Sequence, residues 1–144
     1  MTANTNLLIY LNNFQKFYRR QFKPLAKKYG FAQIEIDILL FLHNNPAHNT
    51  ARDICVMRGL AKSNVSTSLE TLRRRGVITS LADPESRKLH RLTLTPAYEA
   101  AVGELALCQE QCFAIVTKGF SDEELALFRN SLDNINANVL HALE

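Results

Sequence analysis

No run of eighteen apolar residues occurs anywhere in the 144-residue chain, so no helix is expected to span a membrane. The opening stretch "MTANTNLLIYLNNFQKFYRRQ" lacks a basic region followed by an apolar block, so it does not read as a signal peptide. Cysteine is scarce and odd in number. Cys55, Cys108 and Cys112 argue against a disulfide framework, and reduced thiols in the cytoplasm are the expectation. Only five glycines are present. Those within the chain punctuate helices or turns, and none forms a loop able to cradle phosphate. No G-x-S-x-G or H-E-x-x-H occurs, so no catalytic role is expected. His43, His48, His90 and His141 show no metal spacing. Cys108 and Cys112 stand one helical turn apart without the third and fourth ligands of a structural zinc site, so small apolar packing is expected there. Neither a metal nor a cofactor is anticipated. Internal repeats and low-complexity segments are also absent.

What is there fits a single soluble globular domain spanning residues 1–144: 47% hydrophobic and 22% charged residues. A chain of this size buries enough surface to fold without a staple. The formal net charge of +3 conceals a polarity along the chain. Residues 1–51 carry six Lys/Arg against two Asp/Glu, residues 52–91 nine against four, and residues 92–144 two against eight. The first two segments attract a polyanion and the last repels one.

Apolar periodicity predicts six helices. Residues 5–28 place Leu7, Leu11, Phe14, Tyr18, Phe22 and Leu25 on one face, with Gly30 as the stop. Residues 33–44 turn Ile34, Ile38, Phe41 and Leu42 inward. After the polar "HNNPAHN", Thr50 and Asp53 form a capping pair for a short helix that points Ile54 and Met57 inward and ends at Gly59. Residues 63–75 make the fourth helix, closed by Gly76. Two strands follow at 77–81 and 89–94, joined by the polar tip "ADPESRK". Thr95 caps a fifth helix, with Pro96 at its first position, that runs to about residue 118 with Val102, Leu105, Cys112, Phe113 and Val116 inward. Ser121 and Glu124 box the start of the last helix, which carries Leu125, Phe128, Leu132, Ile135 and Val139 at helical spacing.

Helix, turn, helix and charged hairpin is an arrangement suited to reading DNA. In "AKSNVSTSLETLRRRGVI", residues 61–78, the stripe Val65, Leu69, Leu72 is the buried face. The opposite surface begins with Ser63, Asn64, Ser66 and Thr67, continues with Glu70 and Thr71, and ends with Arg73 and Arg74. Short hydrogen-bonding side chains suit base edges, and arginines suit phosphates. Arg87 and Lys88 at the hairpin tip supply charge for a minor groove or backbone. Asp83 is expected to brace Arg87 rather than touch DNA, since a bare carboxylate repels phosphate.

At these residues the sequence resembles the multiple-antibiotic-resistance regulator (MarR) family of winged-helix transcription factors. The resemblance spans nearly the whole chain and is strongest in "TARDICVMRGLAKSNVSTSLETLRRRGVITSLADPESRKLHRLTLT", residues 50–95. Asp83, Pro84, Arg87, Lys88, Leu94 and Thr95 match the family's wing, where Ser86 replaces the second acidic residue. The resemblance implies a mainly α (α+β) fold: a winged helix-turn-helix lobe at 31–95 with a two-stranded wing, flanked by dimerisation helices at 5–30 and 96–144. The apolar stripes of the first and last helices exceed what a lobe of that size needs, which independently points to an intersubunit core.

The resemblance also implies a small-molecule pocket between the dimerisation helices and the lobes. Tyr10, Phe14, Phe17, Tyr18 and Phe41 are candidates to line it for a small aromatic or phenolic effector, with dimer core the favoured alternative. The leading reading is thus a homodimeric, sequence-specific regulator of the repressor type on a palindromic operator in double-stranded DNA. A non-specific architectural DNA-binding protein and a thiol-based redox sensor are the alternatives.

Overall fold

The computed structural model describes residues 3–144, so Met1 and Thr2 of the expected domain lie outside the described residues. The order is α1 (Ala3–Tyr29), α2 (Gln33–Asn44), α3 (Ala51–Arg58), α4 (Lys62–Arg74), β1 (Ile78–Asp83), β2 (Ser86–Leu94), a 3-10 turn (Pro96–Tyr98), α5 (Glu99–Val116) and α6 (Asp122–Leu143). This is the mainly helical winged-helix arrangement that the sequence predicts, with β1 and β2 forming an antiparallel two-stranded sheet. The chain divides into two compact units, Met1–Glu110 and Gln111–Glu144.

The first unit is built around α2. Ile36, Ile38, Leu39, Leu40, Phe41 and Leu42 are all buried, while Ile34, expected inward, is only half-buried. The reason is that α1, α4 and β2 all contact α2. A helix covered on most sides has no solvent stripe, and its apolar residues lose the period that would single out one face. Phe22, Ile54, Val65, Leu72, Ile78, Leu92, Val102 and Leu105 complete this core from the surrounding elements. Met57 is 53% exposed rather than inward, because eight-residue α3 docks through Ile54 alone.

Thr95 has a different task from the one expected. Its hydroxyl makes no cap and lies 2.6 Å from the carbonyl oxygen of Gly76 and 3.1 Å from that of Val77. It therefore clips the exit of the wing to its entrance, and the chain turns through Pro96–Tyr98 before α5 begins at Glu99.

In the second unit the Ser121–Glu124 capping box is formed in both directions, at 3.2 and 2.8 Å. No residue of α6 is buried, and Leu132, Ile135 and Val139 are each about half exposed. Phe113 and Val116, expected inward, are exposed as well, and so are Leu7, Leu11 and Phe14 of α1. Within one chain the stripe of α6 and the first half of the α1 stripe are therefore uncovered, while Phe22 is buried in the second half.

Candidate nucleic-acid interface

Short-range chemistry sets α3 and α4. The Thr50 hydroxyl accepts the Asp53 N–H at 3.1 Å and donates to the Asp53 carboxylate at 2.7 Å, and the Thr50 N–H donates to that carboxylate at 3.1 Å. These bonds, the hydroxyl's first, hold the Asp53 carboxyl below its usual range. An ion pair of 3.5 Å from Arg58 to Asp37 ties α3 to α2. Gly59 then takes a left-handed conformation, φ +63°, which lets the chain reverse into α4 within three residues.

In α4, Val65, Ser68 and Leu72 are buried and Leu69 is half-buried. That leaves Ser63, Asn64, Ser66, Thr67, Glu70, Arg73 and Arg74 exposed and Thr71 half-buried. The hydroxyls of Thr67 and Thr71 donate to the carbonyls of Ser63 and Thr67, at 3.0 and 3.1 Å. Their oxygen lone pairs still face outward as acceptors.

The three consecutive arginines divide by direction. Arg73 grips Glu70 through two nitrogens, at 3.1 and 2.8 Å, and Arg74 stands 3.6 Å from the same carboxylate. The Arg73 bond holds the Glu70 carboxyl below its usual range and raises the guanidinium in turn. Arg75 points the other way. It donates to the carbonyl oxygens of Tyr29 at 2.6 Å and Gly30 at 2.9 Å, and lies over the Phe31 ring at 4.7 Å. Its guanidinium also stands 3.9 Å from the buried Glu35 carboxylate. Arg75 thus satisfies carbonyls left open at the end of α1. Nothing in the local sequence separates it from its two neighbours.

The wing is longer and tighter than the sequence pattern suggests. Its strands reach Asp83 and Ser86 and leave only Pro84 and Glu85 between them. Asp83 causes the closure, since its carboxylate accepts the Glu85 N–H at 2.8 Å. Arg87 and Lys88 consequently lie on β2 rather than in a loop. The partner of Asp83 also differs from expectation. Arg91, not Arg87, donates to it at 2.9 Å, and Arg91 reaches on to the Asn49 side chain at 3.1 Å. The Glu85 N–H and then Arg91 keep the Asp83 carboxyl low. The backbone supports the same tie, as the Leu92 N–H donates to the Asn49 carbonyl at 2.8 Å. Arg91 stands across the hairpin from Leu81, two residues before Asp83 along β1, within reach of its carboxylate.

These elements bring several expected residues together. Ser66, Glu70, Arg73 and Lys88 line one cleft of about 450 Å³ between α4 and the wing. Arg52 of α3 and His90 of β2 line it too. Both escaped the sequence reading, although Arg52 lies within the basic middle segment and follows the capped start of α3. Ser63, Asn64, Thr67, Arg74 and Arg87 are exposed around this surface without lining the cleft.

The aromatic candidates are distributed differently. Phe41 is buried within α2, whereas Tyr10, Phe14 and Phe17 follow one another along α1. Phe14 stacks on Tyr18 with ring centroids 5.9 Å apart, and Tyr18 meets Phe22 at 4.8 Å. The Tyr18 hydroxyl accepts a hydrogen bond from Gln109 at 2.9 Å, and Gln109 accepts one from Asn44 at 2.8 Å, joining α1, α2 and α5. Cys112 is buried, Cys55 and Cys108 are half-buried, and the Cys108 thiol lies 3.6 Å from the Gln21 carbonyl oxygen.

The sequence model of the MarR family matches residues 29–89, the segment that holds α2, α3, α4 and most of the wing. No curated protein matches the chain. Among solved structures, a MarR-family transcriptional regulator from Silicibacter pomeroyi is 19% identical, with a TM-score of 0.78 over 90% of this chain and 87% of that one. A MarR-family regulator from Listeria monocytogenes, solved in complex with a 26mer DNA, is 14% identical, with a TM-score of 0.79 over 96% and 89%. Bordetella bronchiseptica BpsR, whose DNA binding is regulated by 6-hydroxynicotinic acid, is 18% identical, with a TM-score of 0.70 over 91% and 98%. Residues 29–89 are thus similar in sequence to the MarR family, and the chain shares the winged-helix fold of these solved structures.

Proposed function

We propose that the protein is a sequence-specific DNA-binding transcription regulator that acts as a homodimer on a palindromic operator, in the manner of a repressor. The observation that carries this reading is the composition of the α4 surface. Four short polar side chains, Ser63, Asn64, Ser66 and Thr67, stand exposed at the start of the helix, and Arg73 and Arg74 stand exposed at its end. Short donors and acceptors suit base edges in a major groove, and guanidinium groups suit the phosphates on either side. In this reading Lys88 and Arg52 reach the backbone from the cleft flanks, Thr71 supports the reading face, and Arg87 enters a neighbouring minor groove. Glu70 holds Arg73 and Arg74 in place until phosphates compete for them. Asp83 and Arg91 keep the wing at a fixed height above α4.

The homodimer is supported by the uncovered apolar stripe of α6 and by exposed Leu7, Leu11 and Phe14 of α1. The Listeria monocytogenes regulator bound to a 26mer DNA supports the nucleic-acid partner. BpsR supports control by a small aromatic effector, with Tyr10, Phe14 and Phe17 of α1 as the side chains to meet it. Such an effector would act by changing the separation of the two α4 helices, because a dimer reads half-sites about one DNA turn apart.

The test is binding of the full chain to its selected site and to a scrambled duplex. Thr67→Ala or Asn64→Ala should cost about 1–3 kcal/mol on the selected site and little on the scrambled one. Arg74→Ala should weaken both alike. Equal losses on both duplexes for Thr67→Ala and Asn64→Ala would show that α4 does not read bases, and an architectural role would replace the regulator.

A further inference from the structure

We infer that α1 carries a second nucleic-acid surface: Lys16, Arg19, Arg20, Lys23 and Lys27 bind backbone phosphates flanking the bases that α4 reads. The inference rests on the DNA-binding reading and extends it to a helix outside the winged lobe.

The described part of α1 contains no Asp or Glu. At about 100° per residue, these five cations fall within an arc of about 100°, opposite the face that carries Phe14, Tyr18 and Phe22. The arc is roughly 16 Å long at 1.5 Å per residue. All five side chains are exposed, and among the described residues none has an ion pair. Lys28, the sixth cation of α1, differs: it pairs with Glu104 at 2.9 Å. Asn12 and Gln15 extend the strip, and with Lys16, Arg19, Arg20 and Lys23 they line an open groove of about 660 Å³.

A merely solvated helix face does not look like this. Like charges three and four residues apart destabilise a helix, and here Lys16–Arg20, Arg19–Lys23 and Lys23–Lys27 repeat that conflict. The helix dipole favours cations only in the last turn, which accounts for Lys27 and Lys28 but not for the four nearer the middle. A row of anions removes the conflict. Phosphates of a duplex supply such a row at closely spaced intervals along its axis.

The position also fits. The arc ends at Lys27, two residues before Tyr29, whose carbonyl Arg75 holds at the end of α4. The C-terminal ends of α1 and α4 are therefore tied together through Arg75. A membrane surface fits less well. Beside the cationic arc, insertion would require the opposite, apolar face, where Phe22 is buried and Tyr18 is hydrogen-bonded to Gln109, although Leu7, Leu11 and Phe14 nearer the start of α1 are exposed.

The experiment uses the full chain with Lys16→Gln, Arg20→Gln and Lys23→Gln combined. Binding is measured across a salt series on a selected site whose flanks are trimmed stepwise. The variant should lose about two to three counterions of salt slope per protomer and about 10- to 100-fold affinity on the long duplex near 0.1 M salt. Its preference for the selected over the scrambled site should stay unchanged. The losses should vanish once the flanks are trimmed from both sides, and melting should be unchanged or raised because repulsion is relieved. An unchanged salt slope and length dependence, with site preference intact, would overturn the α1 surface while leaving the regulator standing. Loss of binding to phosphatidylserine vesicles in place of the salt-slope effect would overturn it in favour of a membrane surface. A wild-type chain that binds no duplex at all would overturn both.

Discussion

Replacing Arg75 by alanine is the sharpest probe of how this fold uses its arginines. The change deletes the bonds to the Tyr29 and Gly30 carbonyls, 2.6 and 2.9 Å long, and the contact over the Phe31 ring. Hydrogen bonds to a charged group contribute about 1.5–3 kcal/mol each, and a cation over a ring about 0.5–1 kcal/mol when exposed. The Arg75 side chain is 32% exposed and the Glu35 ion pair is long at 3.9 Å, so solvent screening takes back a good part of that sum. A net loss of about 2–3 kcal/mol is expected, or a fall in melting temperature of about 5–10 °C at this chain length. Urea denaturation at fixed protein concentration measures it, since self-association of the kind proposed makes apparent stability depend on concentration. Arg75→Lys should recover less than half of the loss, because one ammonium cannot fork across two carbonyls. The salt slope of DNA binding should stay the same for Arg75→Ala and fall by about one counterion for Arg74→Ala. A stability loss below about 0.5 kcal/mol, together with a fallen salt slope, would mean that Arg75 is a phosphate ligand and that its contacts with α1 are incidental.

The Asp83 carboxyl is held low in the folded wing, so its stabilising effect is complete above the unfolded value of 3.8 and is lost as pH falls through the lower folded value. Amide protection in β1 and β2, relative to the intrinsic exchange rate at each pH, should therefore be steady from neutral pH down to about 4 and fall below it, and Asp83→Asn should show low protection throughout. Protection that already falls near pH 6 in the wild type would place the wing's brace on another group. Deleting residues 125–144 should leave a monomeric or aggregating chain. A monomeric, concentration-independent mass for the intact protein by sedimentation would contradict the homodimer.

Much of the architecture was legible because its determinants lie within a few residues of one another. The 3–4 spacing of Val65, Leu69 and Leu72 marks a helix and its inner face before any neighbour is known. Thr50 with Asp53 and Ser121 with Glu124 declare helix starts by local hydrogen bonding, and both boxes are formed. Gly30, Gly59 and Gly76 mark stops, and all three adopt positive φ. The candidate reading surface of α4 was visible for the same reason, since a helix with one apolar stripe must present the rest.

The pairing of charges was not visible, because Coulomb and hydrogen-bond partners are chosen by folding rather than by sequence distance. Arg75 finds its carbonyls 45 and 46 residues away, while Arg73 and Arg74 stay with Glu70 one turn behind them. Asp83 passes over the matching Arg87 for Arg91, because the hairpin closes two residues beyond it. Burial at the centre was hidden as well: α2 lies under three other elements, so its sequence carries no contrast between faces. The apolar stripes of α1 and α6 show the opposite limit. Their periodicity promises a buried face, and within one chain α6 and the first half of α1 leave that face open, since periodicity specifies that a surface must be covered and not by what.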